Sequence, residues 1–245
     1  MKILVCISKT PETTAKISFS GTDFETAGVQ FIMNPYDEWY ALVRALELKE
    51  ANEGSTVTII NVGPASNDPV IRKGLAIGAD EAVRINTDPQ SALSAAKHIA
   101  EYAKTGGFDL ILTGKETIDY NGSEVGGMIA ELLDLPYVSY ANNLEVSGTT
   151  ATVSRDIEGG TEIVEVATPV VVSAAKGMAE QRIPNMRGIM MAKRKPLNVI
   201  EPGGASDHAK VVSYEMPQGK TAVKMIDPEN MDELVRLLHE EAKVI

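Results

Sequence analysis

Through the first two thirds of this chain, short β-branched runs take turns with longer segments of helical period, and that alternation limits the fold more than any other feature. Residues 2–8, 56–62, 82–85 and 108–113 are nearly continuous in hydrophobicity, as strands buried on both faces should be. Between them, residues 37–51 place Leu42, Ala45, Leu46 and Leu48 on one broad face. Residues 68–77 follow a turn at Gly63-Pro64, and residues 89–104 carry Leu93, Ala96, Ile99 and Ala100 at helical spacing. A further helix is predicted from about residue 123 to 133, stopping before Pro136. This order predicts an α/β fold: a parallel sheet with right-handed crossovers and helices on both faces.

After Pro136 the pattern changes. Residues 142–155, turning at Ser147-Gly148, and residues 163–167, after Gly159-Gly160, predict a small antiparallel hairpin excursion that returns to the sheet through residues 169–174. Residues 179–196 read as a loop rich in Arg and Lys, followed by a linker at Pro202-Gly203-Gly204-Ala205-Ser206. The chain ends on an amphipathic helix for which Asp227 is the expected N-cap and Pro228 the first helical residue, with Leu234, Val235, Leu237 and Leu238 on its apolar face. The expected division is a nucleotide-binding α/β domain over residues 1–200 and a linker with a C-terminal arm over residues 201–245. That arm is too short for its own core, so it should pack on the main domain or reach across to a partner.

Composition removes whole classes of function. With 23 Lys+Arg against 34 Asp+Glu, the chain carries a formal charge of −11, which disfavours a nucleic-acid partner. No apolar run approaches the roughly 20 residues that span a bilayer, and the apolar start through Ile7 is too short for a signal peptide, so a cytoplasmic location is expected. The lone Cys6 offers neither a disulfide nor a thiolate cluster, and no metal site is expected. Its expected role is that of a small buried side chain in the first strand. His98, His208 and His239 stand apart from one another, and His98 and His239 are expected at the surface. No nucleophile with a neighbouring base emerges, so no catalytic residue is assigned.

Two loops carry the polar chemistry. The first strand turns through Ser8-Lys9-Thr10-Pro11 without the Gly-rich dinucleotide fingerprint, and the phosphate loop of nucleoside triphosphatases is also absent. Instead Gly114-Lys115-Glu116-Thr117-Ile118-Asp119-Tyr120-Asn121-Gly122-Ser123-Glu124-Val125 leaves a buried strand and enters a helix. Such a loop either presents free N–H groups to a phosphate or is a solvated connection capped by Asn121 or Ser123. In Met33-Asn34-Pro35-Tyr36-Asp37-Glu38, Asn34 can read an adenine or ribose edge and Asp37 can cap a helix; a plain capping turn is the alternative.

In their order and spacing, these stretches resemble the beta subunits of electron transfer flavoproteins. The similarity includes Ala76-Ile77-Gly78-Ala79-Asp80, Arg155-Asp156-Ile157-Glu158-Gly159-Gly160 and Arg187-Gly188-Ile189-Met190-Met191-Ala192-Lys193, and it covers almost the whole chain. The resemblance implies an adenine-nucleotide-binding, Rossmann-like subunit of an alpha/beta heterodimer, an electron carrier rather than an enzyme. It takes electrons from flavin dehydrogenases, such as the acyl-CoA dehydrogenases of fatty acid β-oxidation, through an FAD held mainly by the alpha subunit. A quinone-linked oxidoreductase is the implied acceptor, and the beta subunit holds a structural AMP.

Carried over by position, the AMP site comprises the backbone near Cys6, the loop Asn34, Pro35, Tyr36 and Asp37, Val62, and the loop from Gly114 to Val125. Tyr36 matches an aromatic that approaches the alpha-subunit flavin, or else packs beside Trp39. Met186 falls where relatives place an apolar anchor gripped by dehydrogenases, next to Arg187 and near Arg182 and Lys193. Glu124 and Ser123 depart from the residues frequent in the family. A bifurcating branch binds a second FAD and NADH. Its Gly-containing stretch after the third strand is missing from Asn86-Thr87-Asp88-Pro89-Gln90-Ser91-Ala92-Leu93, although Val125-Gly126 and Asp134-Leu135-Pro136 also fit that branch. A bifurcating subunit and a stand-alone adenine-nucleotide sensor therefore stay open beside the AMP-binding carrier.

Overall fold

The computed structural model describes residues 1–205, 207–219 and 222–245, so Ser206 of the expected linker lies outside the described residues. The central strand β1 (Lys2–Cys6) is followed by an excursion holding β2 (Lys9–Pro11), β3 (Phe19–Ser20), β4 (Asp23–Phe24) and β5 (Phe31–Met33). In it β2 pairs with β5 and β3 with β4, both antiparallel. Then α1 (Asp37–Ala51), β6 (Thr56–Val62), α2 (Asp68–Ile77), β7 (Glu81–Ile85), α3 (Ala92–Gly106), β8 (Leu110–Gly114) and α4 (Val125–Leu133) alternate as the periodicity predicts. The predicted excursion is made of β9 (Tyr137–Ser147), β10 (Thr150–Ile157) and β11 (Gly160–Ala167), paired antiparallel, and β12 (Val170–Ala174) returns in parallel between β9 and β8. Last come α5 (Met186–Ala192), β13 (Leu197–Ile200) and α6 (Met231–Glu240). The nine-stranded sheet has the order β11-β10-β9-β12-β8-β1-β6-β7-β13.

Alternation along β1 divides the core in two. Ile3 and Val5 pack on one side with Leu42 and Leu46 of α1 and with Ile71 and Leu75 of α2. Leu4 and Cys6 face the other side, with Ile99 of α3 and Ile129 of α4. Each such aliphatic side chain contributes about 1.5–3 kcal/mol when fully buried, which is why these strands tolerate no polar alternation. The winding that results matters for the site. From β1 the chain runs through α1, β6, α2 and β7 on one flank, then crosses by α3 on the opposite face to place β8 on the other flank of β1. The strand order therefore reverses between β1 and β8, and the carboxyl ends of both open on one edge.

The second half departs from expectation in specific places. Residues 179–196 are not wholly a loop: α5 lies within them, begun by Asn185, whose side chain accepts the Gly188 N–H at 2.8 Å. At Gly188 a Cβ would sit 2.5 Å from the Ala76 carbonyl oxygen, so α5 docks on α2 at backbone contact distance. Arg72 ties down the segment by donating to the Ala192 and Lys195 carbonyls at 2.8 and 2.7 Å. Lys195 in turn donates to the Leu75, Gly78 and Ala79 carbonyls at the end of α2, which makes it a helix cap rather than a free base. Past α5, β13 adds a parallel edge strand to β7 that the sequence did not reveal.

In the arm, α6 begins at Met231 rather than at Pro228. Asn230 accepts the Glu233 N–H at 3.3 Å, in the Asn-x-x-Glu pattern of a capping box, while Asp227 closes only the preceding turn by accepting the Glu229 N–H. His98 is a correction too. It is 3% exposed, because α3 packs on the sheet and alongside α4, so little of its circumference faces solvent; His239 is exposed as expected, in contact with the Ile245 carbonyl. The start of the arm returns over the main domain, where Asp207 accepts from the Gln90 N–H and the Ser91 hydroxyl. Tyr214 then stacks on Phe19, with ring centroids 4.4 Å apart. No described helix is long and apolar enough to cross a membrane.

Candidate functional site

At the reversal point the two polar loops meet. Asn34 is fully buried, and its side chain is used in both directions: Nδ2 donates to the Glu116 carbonyl at 3.0 Å, and Oδ1 accepts the Ile118 N–H at 3.1 Å. Its own N–H donates to the Ser8 carbonyl at 2.9 Å. The Asn34 amide is thus engaged on both sides, fastening the loop after β8 to the end of β1. Lys115 N–H donates to the Ala174 carbonyl, which ties the same loop to β12. Gly114 brings the end of β8 against the start of α1, since a Cβ there would lie 2.9 Å from the Glu38 backbone nitrogen and 3.1 Å from Asp37 Cβ. Among the predicted site residues, Cys6, the segment 34–37 and the segment 114–118 are thus brought together, with Val62 ending the neighbouring strand on the same edge.

Neither helix that opens on this edge has a side-chain cap. α1 is preceded by Tyr36, and Asp37 is its first residue rather than its cap. α4 is preceded by Glu124, and neither Asn121 nor Ser123 caps it; both instead hold left-handed backbone, at φ 50° and 54°. An Asn adopts this conformation readily, but Ser seldom does. Left-handed residues just before an uncapped helix, in a turn closed by the Asn121 N–H on the Thr117 carbonyl, are the backbone arrangement in which N–H groups can converge on an anion. The first turn of α4 carries no acidic residue, and the one carboxylate at this helix end is that of Glu124, exposed just before it. Ser123 Oγ donates to Glu116 at 3.2 Å instead, holding the loop closed across its base.

The charges around this edge are far from ordinary. Burial pushes Asp37 up to about 6, against the opposing pull of Lys115, and pushes Glu38 up to about 8, against hydrogen bonds from Ser8. Burial also raises the Cys6 thiol, with Glu38 adding to it, so this cysteine is an inert core group and not a nucleophile. Hydrogen bonding to Glu116 raises Lys115, and the two form an ion pair at 3.2 Å. Since the folded-state values of Asp37 and Glu38 are raised above those of the unfolded chain, the contribution of these two groups to stability is greatest below the unfolded carboxylate range and is lost as pH rises through about 6 and about 8.

The remaining predicted residues point outward. Tyr36 is 51% exposed with φ 65°, a strained conformation for an aromatic, and it does not pack in the core beside Trp39. Asp119, Tyr120, Asn121, Gly122 and Glu124 are exposed on the loop. Met186 is 74% exposed at the start of α5, with Arg187 exposed next to it, on the helix that packs against α2. Arg182 does not join them as a free base, because it is paired with Glu50 at 2.6 Å. Sequence reasoning passed over Ser8 and Glu38. An acid in the first turn of a helix is usually a solvated partner of the helix dipole, and only the bonds from Ser8 distinguish this one. Among the described residues there is no cluster of ligands for a metal ion.

Comparison with known proteins agrees with this architecture. The sequence model of the family described as "Electron transfer flavoprotein domain" matches residues 22–203. The protein named "Electron transfer flavoprotein subunit beta" in Bacillus subtilis is 37% identical, with the whole of both chains covered. Its namesake in Syntrophomonas wolfei is 34% identical over 94% of this chain and 91% of its own, and the human one is 32% identical over 100% and 99%. The chain belongs to the electron transfer flavoprotein family, among its beta subunits.

Proposed function

We propose that this chain is the beta half of a heterodimeric electron carrier and that the crevice between the ends of β1 and β8 holds a structural AMP. The observation that carries the reading is the uncapped start of α4, preceded by left-handed Asn121 and Ser123 and fastened to β1 through Asn34. The residues fit such a ligand. The backbone N–H groups of residues 123–127 suit the phosphate, and the buried hydroxyl of Thr113, which lacks a partner, lies directly under the first turn of α4. Charge from Lys115 balances Asp37 beside them. AMP performs no bond-making step in this reading; it completes the edge on which Tyr36 is displayed.

The FAD belongs mainly to the alpha subunit and supplies the redox chemistry. This chain contributes exposed Tyr36 toward it and, with residues 201–245, an arm that embraces the partner. Val212, Met216, Val223, Met225 and Val235 are exposed along that arm, an apolar surface suited to a partner subunit. Electrons arrive from flavin dehydrogenases such as acyl-CoA dehydrogenases, docking at Met186 and Arg187, and leave for a quinone-linked acceptor in the cytoplasmic setting of fatty acid oxidation. Against the bifurcating alternative stands the use of Gln90 and Ser91 to hold Asp207 of the arm, which occupies the stretch where a second FAD would need free loop groups.

The test is electron flow in the heterodimer. A dehydrogenase with its substrate should bleach the flavin absorbance, and NADH alone should not; reduction by NADH would overturn the reading in favour of bifurcation. Met186→Ala removes an exposed side chain, so folding and flavin content should not change. Acceptance from the dehydrogenase should slow by roughly tenfold, as expected for a central apolar anchor, and stopped-flow rates equal to those of the parent would remove Met186 from that role.

A further inference from the structure

Glu38 is buried at 5% exposure one residue beyond the predicted site segment, and it is engaged at both oxygens by one residue of another element. The Ser8 N–H donates to Oε2 at 2.6 Å and the Ser8 hydroxyl donates to Oε1 at 2.7 Å. The stem of the same side chain lies beneath the end of β8, where Glu38 Cγ is 2.8 Å from the position of a Gly114 Cβ. Its carboxyl thus holds the residue that accepts the Asn34 N–H, while its methylenes support the residue from which the loop departs. We propose that Glu38 is a positioning residue of the nucleotide site, fixing the spacing between the ends of β1 and β8 and so the presentation of the free N–H groups of α4.

This inference rests on the reading of the crevice as an AMP site. The choice of a carboxyl group has a physical reason. The groups that face it are Ser8 and the Cys6 thiol from β1 and its extension, Asp37 from its own helix, and Asp119 from the loop, with Lys115 acting on Asp37. Held up to about 8 by burial, Glu38 is mostly protonated at pH 7, where it accepts the Ser8 N–H at one oxygen and donates its own proton to the Ser8 hydroxyl at the other, binding Ser8 without adding a full charge to an edge that receives an anion. Above that value it becomes a carboxylate beside Asp37 and Asp119, and repels the phosphate.

Glutamine keeps the geometry. Its oxygen accepts the Ser8 N–H and its amide donates to the Ser8 hydroxyl, whereas alanine removes both bonds and the support beneath Gly114. The experiment compares the parent, Glu38→Gln and Glu38→Ala, each coexpressed with the alpha subunit and stripped of nucleotide. AMP affinity is measured by calorimetry from pH 7 to 9, and amide exchange is followed at Ser8 and residues 114–118. At pH 7 Glu38→Gln should bind within about twofold of the parent and Glu38→Ala at least tenfold more weakly. Between pH 7 and 9 the parent should lose roughly tenfold in affinity while Glu38→Gln loses little.

Equal affinity for Glu38→Ala, or one shared pH profile for the parent and Glu38→Gln, overturns the inference. If the parent binds no AMP, the site reading fails by itself. Faster exchange at 114–118 in Glu38→Ala alone then still supports the positioning role, and unchanged exchange removes it. Should Glu38→Ala fail to assemble, the pH comparison of the parent with Glu38→Gln decides.

Discussion

Gly114→Ala should destabilise the fold and empty the nucleotide site in one step. The added Cβ meets the Glu38 backbone nitrogen at 2.9 Å and Glu38 Cγ at 2.8 Å, and a backbone atom cannot swing aside as a flexible side-chain tip can. Either the start of α1 or the end of β8 must move. Overpacking of this kind costs about 1–3 kcal/mol, a large share of the stability of a single domain. The displaced part is the hinge between β8 and the loop that ends at α4, so loss of AMP should exceed what the loss of stability alone explains. Urea midpoints and bound nucleotide, measured on the same preparation, check this. A stable variant with full AMP content would show that the two strand ends are not held against each other.

Asn34→Ala is the second large effect, and it separates fastening from recognition. Removing this amide leaves the half-buried Glu116 carbonyl and Ile118 N–H without their protein partners, at a combined cost of about 1–3 kcal/mol, before any cavity is counted. Asn34→Asp keeps the acceptor for Ile118 but turns a carboxylate oxygen toward the Glu116 carbonyl, so it should rescue little at neutral pH. Thermal melting and amide exchange over residues 114–120 should show a stability loss with the loop opened. If Asn34 instead touched the ligand and did not hold the loop, AMP affinity would fall with exchange unchanged.

How far the sequence could carry this account depends on the range over which each feature is encoded. The strand-helix alternation was legible because strands buried on both faces need continuous Val and Ile, and α1, β6 and α2 begin and end where the pattern places them. Helix α5 was not, since its few residues include a glycine, and it is held by Arg72, Lys195 and backbone contact with α2 rather than by its own propensity. The Asn185 cap, three residues before Gly188, was its one local signal. β13 was hidden between Pro196 and Pro202, a four-residue run that becomes a strand only because β7 offers an edge.

At the site, the loops were visible as polar interruptions at strand ends, but the division of labour inside them was not. Asn34 has the groups of a ligand reader and is spent on the loop. Asp37 and Asn121 have the chemistry of caps and do not cap. Glu38 looks like a dipole acid and is a buried neutral clasp. His98 was misplaced for a related reason: charged neighbours in sequence suggested solvent, whereas the packing of α3 against both the sheet and α4 covers it. Such assignments depend on partners tens of residues away, which no local pattern encodes.

The central claim is that the reversal point between β1 and β8 holds AMP. It is tested most directly by counting the nucleotides released from the acid-precipitated heterodimer after coexpression with its alpha subunit. The account predicts one AMP and one FAD per heterodimer, with the AMP lost selectively in Gly114→Ala. Two FAD and no AMP, or a stable assembly of this chain alone that releases ATP, would contradict it.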